Sequence, residues 1–568
     1  MKTLLIALEL FFLLKGRFNL RVWLLFLMMI LASFAEVLSI GAVIPFLTAM
    51  TNPDAILNLS EARPIFRTLG INNTDEIRFA MTAAFILAVL FSGIIKLLLV
   101  WFQARLIFDM NTYLSQALMG LQLKRPYIDA IISSSSNSLA LVTNKAGTAV
   151  NGGVLPIFNF FSSIVISLGV VSVLVLINLE ATIYVFLTIG ILYLFIMYFT
   201  KKKLFINGRV ESIESARVLQ VTQEALRGYR DILLHRSEGF FSELFMLSDK
   251  KLKRARSNIQ IISMAPKHVV ETVGIVTIVL IAYLLVSTYG SESIAFIGAM
   301  ALGGQRLLPN LQSTFHSWAS LRSSNAVLAE ILSIFSQIKH SDLLDDSKQF
   351  SLTFNSSLRV QNLSFKYPGN SKYVFKDLTF NFEKGAIVGV TGESGKGKST
   401  LVDVLMGLLD PSQGKILVDD VLISNENKLA FQRLIAHVPQ SVFLTDLSAI
   451  DNIAFAVPDE KIDLDRVYKA AKLAHIHDEI LALPNGYHTR LGEDGSLLSG
   501  GQRQRIGIAR ALYRAPKILV LDEATSALDS QAEELVMNAI ENLPDEVTIF
   551  IISHSPRPLK NTTYTIVL

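Results

Sequence analysis

Gly392-Glu393-Ser394-Gly395-Lys396-Gly397-Lys398-Ser399-Thr400 is the stretch that decides how this chain folds. An apolar run suited to a buried strand, Ala386-Ile387-Val388-Gly389-Val390, leads into it. Behind it Leu401, Val402, Val404, Leu405 and Leu408 recur at helical spacing. Strand, glycine turn and helix, with Gly392, Gly397, Lys398 and Ser399 in that order, make the plan of a P-loop. The glycines let backbone N–H groups converge on phosphate oxygens, and the helix adds its positive N-terminus. Lys398 reaches the β and γ phosphates, and Ser399 is placed to ligand Mg2+. The stretch therefore predicts an α/β domain that uses ATP and Mg2+, with Gly392, Glu393, Ser394, Gly395, Lys396, Gly397, Lys398, Ser399 and Thr400 around the phosphates.

Working outward, the alternation Leu358, Val360, Leu363, Phe365 predicts strands before the loop. Tyr367 follows them, at a distance from the P-loop where an aromatic face can meet adenine; beside Pro368 and Gly369 it is equally a turn residue. Downstream, Ile518, Leu519, Val520 and Leu521 read as a buried strand ending in Asp522 and Glu523. An acid at the end of a strand next to the P-loop can hold the Mg2+ shell, and its neighbour can orient or deprotonate the attacking water. Between these elements, Leu498-Ser499-Gly500-Gly501-Gln502 is a glycine turn opening a helix, a second anion site.

The rest of the chain is of another kind. Its 568 residues are 51% hydrophobic and only 18% charged, which calls for membrane spans. A net charge of +4 is too small to suggest a nucleic-acid partner. There is no cysteine, so disulfides, thiolate metal sites and cysteine nucleophiles are excluded.

Residues 4–14 are apolar apart from Glu9 and are flanked by Lys2, Lys15 and Arg17. No small-residue cleavage site follows, so the run reads as an amphipathic helix on the inner membrane surface rather than a signal peptide. Six apolar runs come next, near 20–50, 79–108, 154–177, 181–200, 268–289 and 293–318, most of them long enough to cross a hydrocarbon core of about 30 Å. Asn178, Leu179 and Glu180 alone separate the third from the fourth, and Gly290, Ser291 and Glu292 the fifth from the sixth, giving tight hairpins. Basic residues gather on the opposite side: Arg17, Arg21, Lys124, Arg125 and a long series from Lys201 to Arg256. By the positive-inside rule the N-terminus, both long loops and the P-loop domain are cytoplasmic, and residues 51–78 lie outside. There Ile65, Phe66 and Leu69 form either a short surface helix or a plain polar loop.

Apolar residues keep helical spacing from Ile206 to Asn258, so the fourth and fifth membrane helices are expected to continue far beyond the bilayer. The turn at Gly228, Tyr229 and Arg230 and the serines Ser133 to Ser136 are candidate contacts with the ATPase. Charges inside apolar runs are costly and tend to serve function. Lys96 in the second run, Lys267 before the fifth and Arg306 in the sixth allow two arrangements. Either they face one cavity and line it for an anionic head group, or the lysines snorkel and Arg306 pairs with Glu36 or Glu271.

P-loop, glycine turn and acid-ended strand, in that order, resemble the ATP-binding cassette (ABC) transporter family. In the terms of that resemblance Gln440, after Val438 and Pro439, is similar to the Q-loop glutamine, a catalytic and metal-shell residue. Ser526 to Asp529 is similar to the D-loop, with Asp529 at the nucleotide, and His554 to the switch histidine on the γ-phosphate. Gly492, Glu493, Asp494 and Gly495 are similar to the segment that meets the coupling helices of exporters. The resemblance implies an all-α six-helix transmembrane domain (1–338, with the N-terminal interfacial helix), a linker (339–349) and an α/β cassette domain (350–568). It also implies a homodimer, in which each ATP lies between the P-loop of one copy and Ser499, Gly500, Gly501 and Gln502 of the other, with Glu523 as base.

Ala35-Glu36-Val37-Leu38-Ser39-Ile40, Pro45-Phe46 and Arg306-Leu307-Leu308-Pro309 resemble the lipid-linked oligosaccharide flippases of bacterial protein glycosylation. That resemblance implies ATP-driven flipping or export of an anionic amphipathic lipid across a bacterial plasma membrane, with Lys96, Lys267 and Arg306 as substrate residues. A multidrug or other lipid exporter and an ATP-gated channel or regulatory subunit are the alternatives. Three features depart from the pattern. Lys96 and Lys267 stand where that subgroup has arginine and cannot fork onto a pyrophosphate. Lys396 fills a P-loop position more often small or uncharged. The chain ends at Leu568, soon after His554, so the far edge of the cassette is expected to lack cover.

Overall fold

The structure, a computed structural model, describes the chain except residues 1, 52, 58–72, 178, 290–293, 341–351, 394, 526–529, 542 and 554–558. The expected loop helix at 65–69, the hairpin turn at 290–292 and the linker core therefore lie outside the described residues. Two compact units emerge, one of Met1–Arg125 and Ala130–Leu343, the other of Pro126–Asp129 and Leu344–Leu568.

The first unit is helical: α1 (Lys2–Gly41), α2 (Thr74–Lys124), α3 (Leu155–Ile177), α4 (Leu179–Arg227), α5 (Glu238–Tyr289), α6 (Ile294–Ser323) and α7 (Asn325–His340) carry it. Among the described residues five helical stretches are long and apolar enough to cross a membrane. The sixth expected run falls within α6, a helix of 30 residues. With 51, 49 and 52 residues, α2, α4 and α5 each extend about 75 Å, well over twice a hydrocarbon core; for α4 and α5 the periodicity from Ile206 to Asn258 predicts this. In the apolar stretch of α2 more than one face is apolar, because protein interior and lipid both select apolar residues. A seam of α2 (Leu99, Leu106, Met110, Leu114, Leu118) is buried, while Leu87, Leu97 and Trp101 on other faces are exposed.

The N-terminal helix meets the first span at a kink at Phe18 (φ −111°, ψ 18°). Its buried face, Ala7, Leu10, Phe11 and Leu14, shares a core with Phe158, Val327, Leu328 and Ile331. Leu5 and Phe12 stay exposed, so both faces are apolar and one is docked.

Ahead of α3 the helical path contains two π-helical turns, Leu141–Lys145 and Val150–Val154. Lys145, buried, closes the first with bonds of 2.6 Å to Glu330 and 2.9 Å to Asn137. The second holds Gly152 and Gly153, where a Cβ would come within 2.0 Å of Ser324 Oγ and 2.6 Å of a Leu328 methyl. The short helix Tyr229–His235 follows the turn at Gly228. Ser133 accepts from Arg125, and Ser136 donates to Gln223.

The second unit holds two sheets. An antiparallel one runs β2 (Phe375–Glu383), β1 (Ser357–Phe365), β4 (Gln413–Val418), β5 (Val421–Leu422). A parallel one runs β6 (Ile435–Val438), β7 (Ile518–Asp522), β8 (Thr548–Ile552), β3 (Ile387–Thr391), β9 (Tyr564–Val567). The central strand β8 is buried at all five positions, which is why such strands read as unbroken apolar runs. β4 and β5 join through Asp419 and Asp420 at φ +48° and +65°, the type I′ geometry that suits strand twist. The Asp419 carboxylate accepts the N–H groups of Asn355, Ser356 and Ser357 ahead of β1. The parallel order sets the ends of β3 and β7 at one rim, where α8 (Lys398–Leu405) and α9 (Gly500–Tyr513) also take part.

Candidate nucleotide site and intramembrane charge cluster

β3 gives way at Thr391 to a loop in which Gly392, Gly395 and Gly397 take φ of +150°, +81° and +94°, after which α8 begins at Lys398. Gly397 has no alternative there: a Cβ would meet Val374 at 2.3 Å. Lys398 is buried, and its ammonium donates to the carbonyls of Gly392 (2.8 Å) and Glu393 (3.0 Å). The charge is thus held over the mouth of the loop by weak acceptors that a phosphate can replace. Lys396 turns outward into an exposed pair with Glu393 at 3.5 Å. Ser394 lies outside the described residues. The Tyr367 hydroxyl sits 3.1 Å from Thr400 Oγ1, and the ring packs edge-on against Phe365, so the tyrosine is fixed to the helix that follows the loop.

At the end of β7, Asp522 accepts a hydrogen bond from Ser399. Burial and the adjacent Glu523 push its pKa up, against the pull of Ser399 and Lys398. Asp403, on α8, is pushed up to about 6 by burial and by Asp522. A serine hydroxyl and clustered carboxylates that repel one another form an all-oxygen donor set, which fits a hard divalent cation such as Mg2+. Glu523 holds a left-handed backbone (φ +48°), its N–H donating to Ile552 at 3.0 Å. Its carboxylate accepts from Gln440 Nε2 at 2.6 Å. The two residues singled out separately in sequence, Gln440 and Glu523, are thus brought together, beside Asp522.

Ser499 caps α9 through a reciprocal box: its hydroxyl accepts the Gln502 N–H at 3.2 Å, and the Gln502 side chain accepts the Ser499 N–H at 2.8 Å. Among the described residues no hydrogen bond joins this turn to the P-loop. Asp529, with the rest of Ser526 to Asp529, and His554 lie outside the described residues.

Two residues of this site escaped the sequence reading. Asn452, fully buried, accepts the Thr445 N–H and donates to the Thr445 carbonyl. Arg510 of α9 donates to Asn452 O (2.8 Å), Asn452 Oδ1 (3.2 Å) and Phe443 O (2.8 Å). Burial, then the nearby Arg514, bring the arginine down to about 10. Together they bind the segment after Gln440 to the helix that begins at Ser499. An arginine among Ile506, Ile508, Ala509 and Ala511 was the available signal.

In the membrane unit one of the two expected arrangements is found for Arg306. Glu36 of α1 is fully buried; its Oε2 accepts from Lys96 (2.6 Å) and Ser92 (2.8 Å) of α2, and Arg306 of α6 lies 3.4 Å from its Oε1. Lys267 sits elsewhere on α5 beside Pro266, exposed, with no ion pair among the described residues. Among the described residues no hydrogen bond or ion pair joins Lys267 to Lys96 and Arg306. Two cations meet on a carboxylate, because in an apolar surround a charge gains most from a partner within contact distance.

Residues 375–526 match the family model described as ABC transporter. The ATP-dependent lipid A-core flippase of Chromohalobacter salexigens is 30% identical over 395 residues, 68% of this chain and 66% of the relative. A protein of the same name from Pseudomonas fluorescens is 34% identical over 346 residues, 59% of this chain and 55% of the relative. The chain thus spans less than two thirds of the length of either. A solved structure titled as a bacterial Atm1-family ABC exporter with ATP bound superposes with a TM-score of 0.80 at 22% identity, covering 96% of this chain and 94% of that one, a likeness of fold.

Proposed function

The chain belongs to the ABC transporter family, with a membrane unit followed by a cassette as in exporter half-transporters, and from this premise we propose that it is an ATP-driven exporter or flippase of an anionic amphipathic lipid. The observation that carries the reading is the 2.6 Å contact of Gln440 with Glu523 in a cassette that carries a P-loop, in a chain rich in candidate membrane spans. A degenerate, purely regulatory cassette has no need of a positioned base.

Mg2+, when bound by Ser399, Asp522 and Gln440, would neutralise charge growing on the phosphates. This chain's own residues do the rest. Lys398 exchanges two carbonyls for phosphate oxygens. Gln440 holds the Glu523 carboxylate in one orientation, and Glu523 takes the proton of the attacking water. Asp529 and His554 complete the assignment. Because no hydrogen bond among the described residues joins Ser499, Gly500, Gly501 or Gln502 to the P-loop of the same chain, a homodimer with two shared ATP sites is part of the proposal, and closure around ATP is what would turn the membrane path outward.

A sixth span in α6 belongs to the proposal as well, as does a bacterial inner-membrane location with the cassette in the cytoplasm. Lipid is favoured as cargo by the two flippase relatives and by cationic side chains within apolar helices; a lipid-linked oligosaccharide is the specific substrate proposed. The test is ATPase and flipping by the chain reconstituted in liposomes, against polyprenyl-pyrophosphate-linked glycan, lipid A-core and a neutral drug. Stimulation by the glycan lipid, lost with Glu523→Gln, supports the reading. Turnover that only the drug stimulates overturns the lipid assignment.

A further inference from the structure

Glu36, Ser92, Lys96 and Arg306 come from three helices and hold two cations against one carboxylate. Had the cluster only to satisfy a buried acid, one cation would have been enough. The second leaves a unit of positive charge within apolar helices, a costly arrangement unless an anion answers it. The layout gives that charge a direction. The Glu36 side chain is 1% exposed, whereas Lys96 and Arg306 are 33% and 39% exposed, so the acid lies behind and the cations in front. Each cation spends one donor on Glu36, and among the described residues their remaining N–H groups have no protein acceptor.

We propose that Glu36 is a specificity-determining residue, a built-in counter-ion that sets Lys96 and Arg306 side by side and trims their charge to a single positive unit, so that the exposed face receives the phosphate of an amphiphile's head group. This deepens the lipid reading given above and rests on it. A phosphate is matched in two ways: its oxygens take donors from both cations, and its charge offsets the surplus. Glu36 itself does not touch the head group. It acts by holding the two residues that do.

The test uses the full chain in phosphatidylcholine liposomes, with ATPase stimulation by hexadecyl phosphate compared with that by zwitterionic hexadecylphosphocholine. The parent is expected to respond to hexadecyl phosphate at the lower concentration. Glu36→Gln raises the cluster from one positive charge to two and is expected to lower the half-maximal concentration of hexadecyl phosphate about tenfold, leaving the phosphocholine value unchanged. Arg306→Gln makes the cluster neutral and should abolish the preference. Glu36→Gln with Arg306→Gln restores one charge but leaves Lys96 as the single donor, so it should return only part of the preference, and Glu36→Asp should behave as the parent. A Glu36→Gln shift that is equal for both probes, or absent, overturns the proposal and assigns Glu36 to scaffolding. If Glu36→Gln fails to fold, an Arg306→Gln variant that keeps the preference overturns it equally. A parent indifferent to both probes overturns it together with the lipid reading, whereas a discriminating parent with an indifferent Glu36→Gln overturns this inference alone.

Discussion

Two glutamates, one in each unit, show how differently this chain handles the same side chain. Glu523 is met by a neutral partner, Gln440, on a backbone twisted into the left-handed region, next to an acid that repels it. Glu36 is met by two cations and a hydroxyl and is sealed from solvent. The first carboxylate is held in place by a neutral donor. The second is saturated and serves as a fixed charge. Surroundings, and not residue type, separate a reagent from a structural ion.

The largest expected effect tests the reagent. Glu523→Gln should lower the ATPase turnover of the reconstituted chain by about 10²–10⁴-fold, with nucleotide affinity, measured by fluorescent ATP analogue titration, within a few-fold of the parent. A small loss of turnover would make Glu523 another fixed charge. The matching change in the membrane, Glu36→Ala, strands Lys96 and Arg306 beside each other and should cost about 3–5 kcal/mol of stability, seen as a fall in the thermal unfolding midpoint in detergent. Next comes Arg510→Ala, which leaves carbonyls of Phe443 and Asn452 without donors; about 2 kcal/mol of stability should go, and turnover should fall because the segment after Gln440 loses its tie to α9.

The smallest effects concern acids that are neither reagent nor ion-pair partner. Asp403 has a folded-state pKa raised from 3.8 to about 6, so between those values the folded chain binds more proton than the unfolded one. Stability contributed there is present at low pH and declines as pH rises towards 6. Asp403→Asn should remove that decline, so its unfolding midpoint gains on the parent from pH 4 to pH 6 and then runs parallel. Asp419 has the opposite sign: against the rise that burial gives, three N–H groups hold it low. Asp419→Ala should cost about 1 kcal/mol at pH 7, with the difference from the parent vanishing as acid protonates the carboxylate.

How much of this could be read from the sequence follows the same division. The P-loop was legible because each requirement leaves a local mark: an apolar run for β3, glycines where φ is positive, helical spacing behind Lys398. The acids after β7 were legible for the same reason. Gln440 was legible only through the family pattern, and its pairing with Glu523, which spans two strands, was not read at all. In the membrane unit, apolar runs gave the spans, since lipid and protein interior select the same residues. That sameness hid which face was which and allowed Lys96, Lys267 and Arg306 to be grouped by charge alone. The Arg306 pairing with Glu36, read as one of two arrangements, is the one found, joined by Lys96 and Ser92. Asn452 and Arg510 were passed over because an isolated polar residue in a soluble domain reads as surface.

The two wide turns before α3 carry a consequence for how the chain tolerates change. Each π-turn takes up an additional residue, so the faces beyond it are set back by about 100° relative to a uniform α-helix. Removing one residue between Leu141 and Val154 would shorten the chain very little. It would instead turn everything on one side of the gap like a key, swinging Lys145 off Glu330 or Gly152 off Ser324 and presenting a bulkier neighbour to a space that accepts only a hydrogen atom.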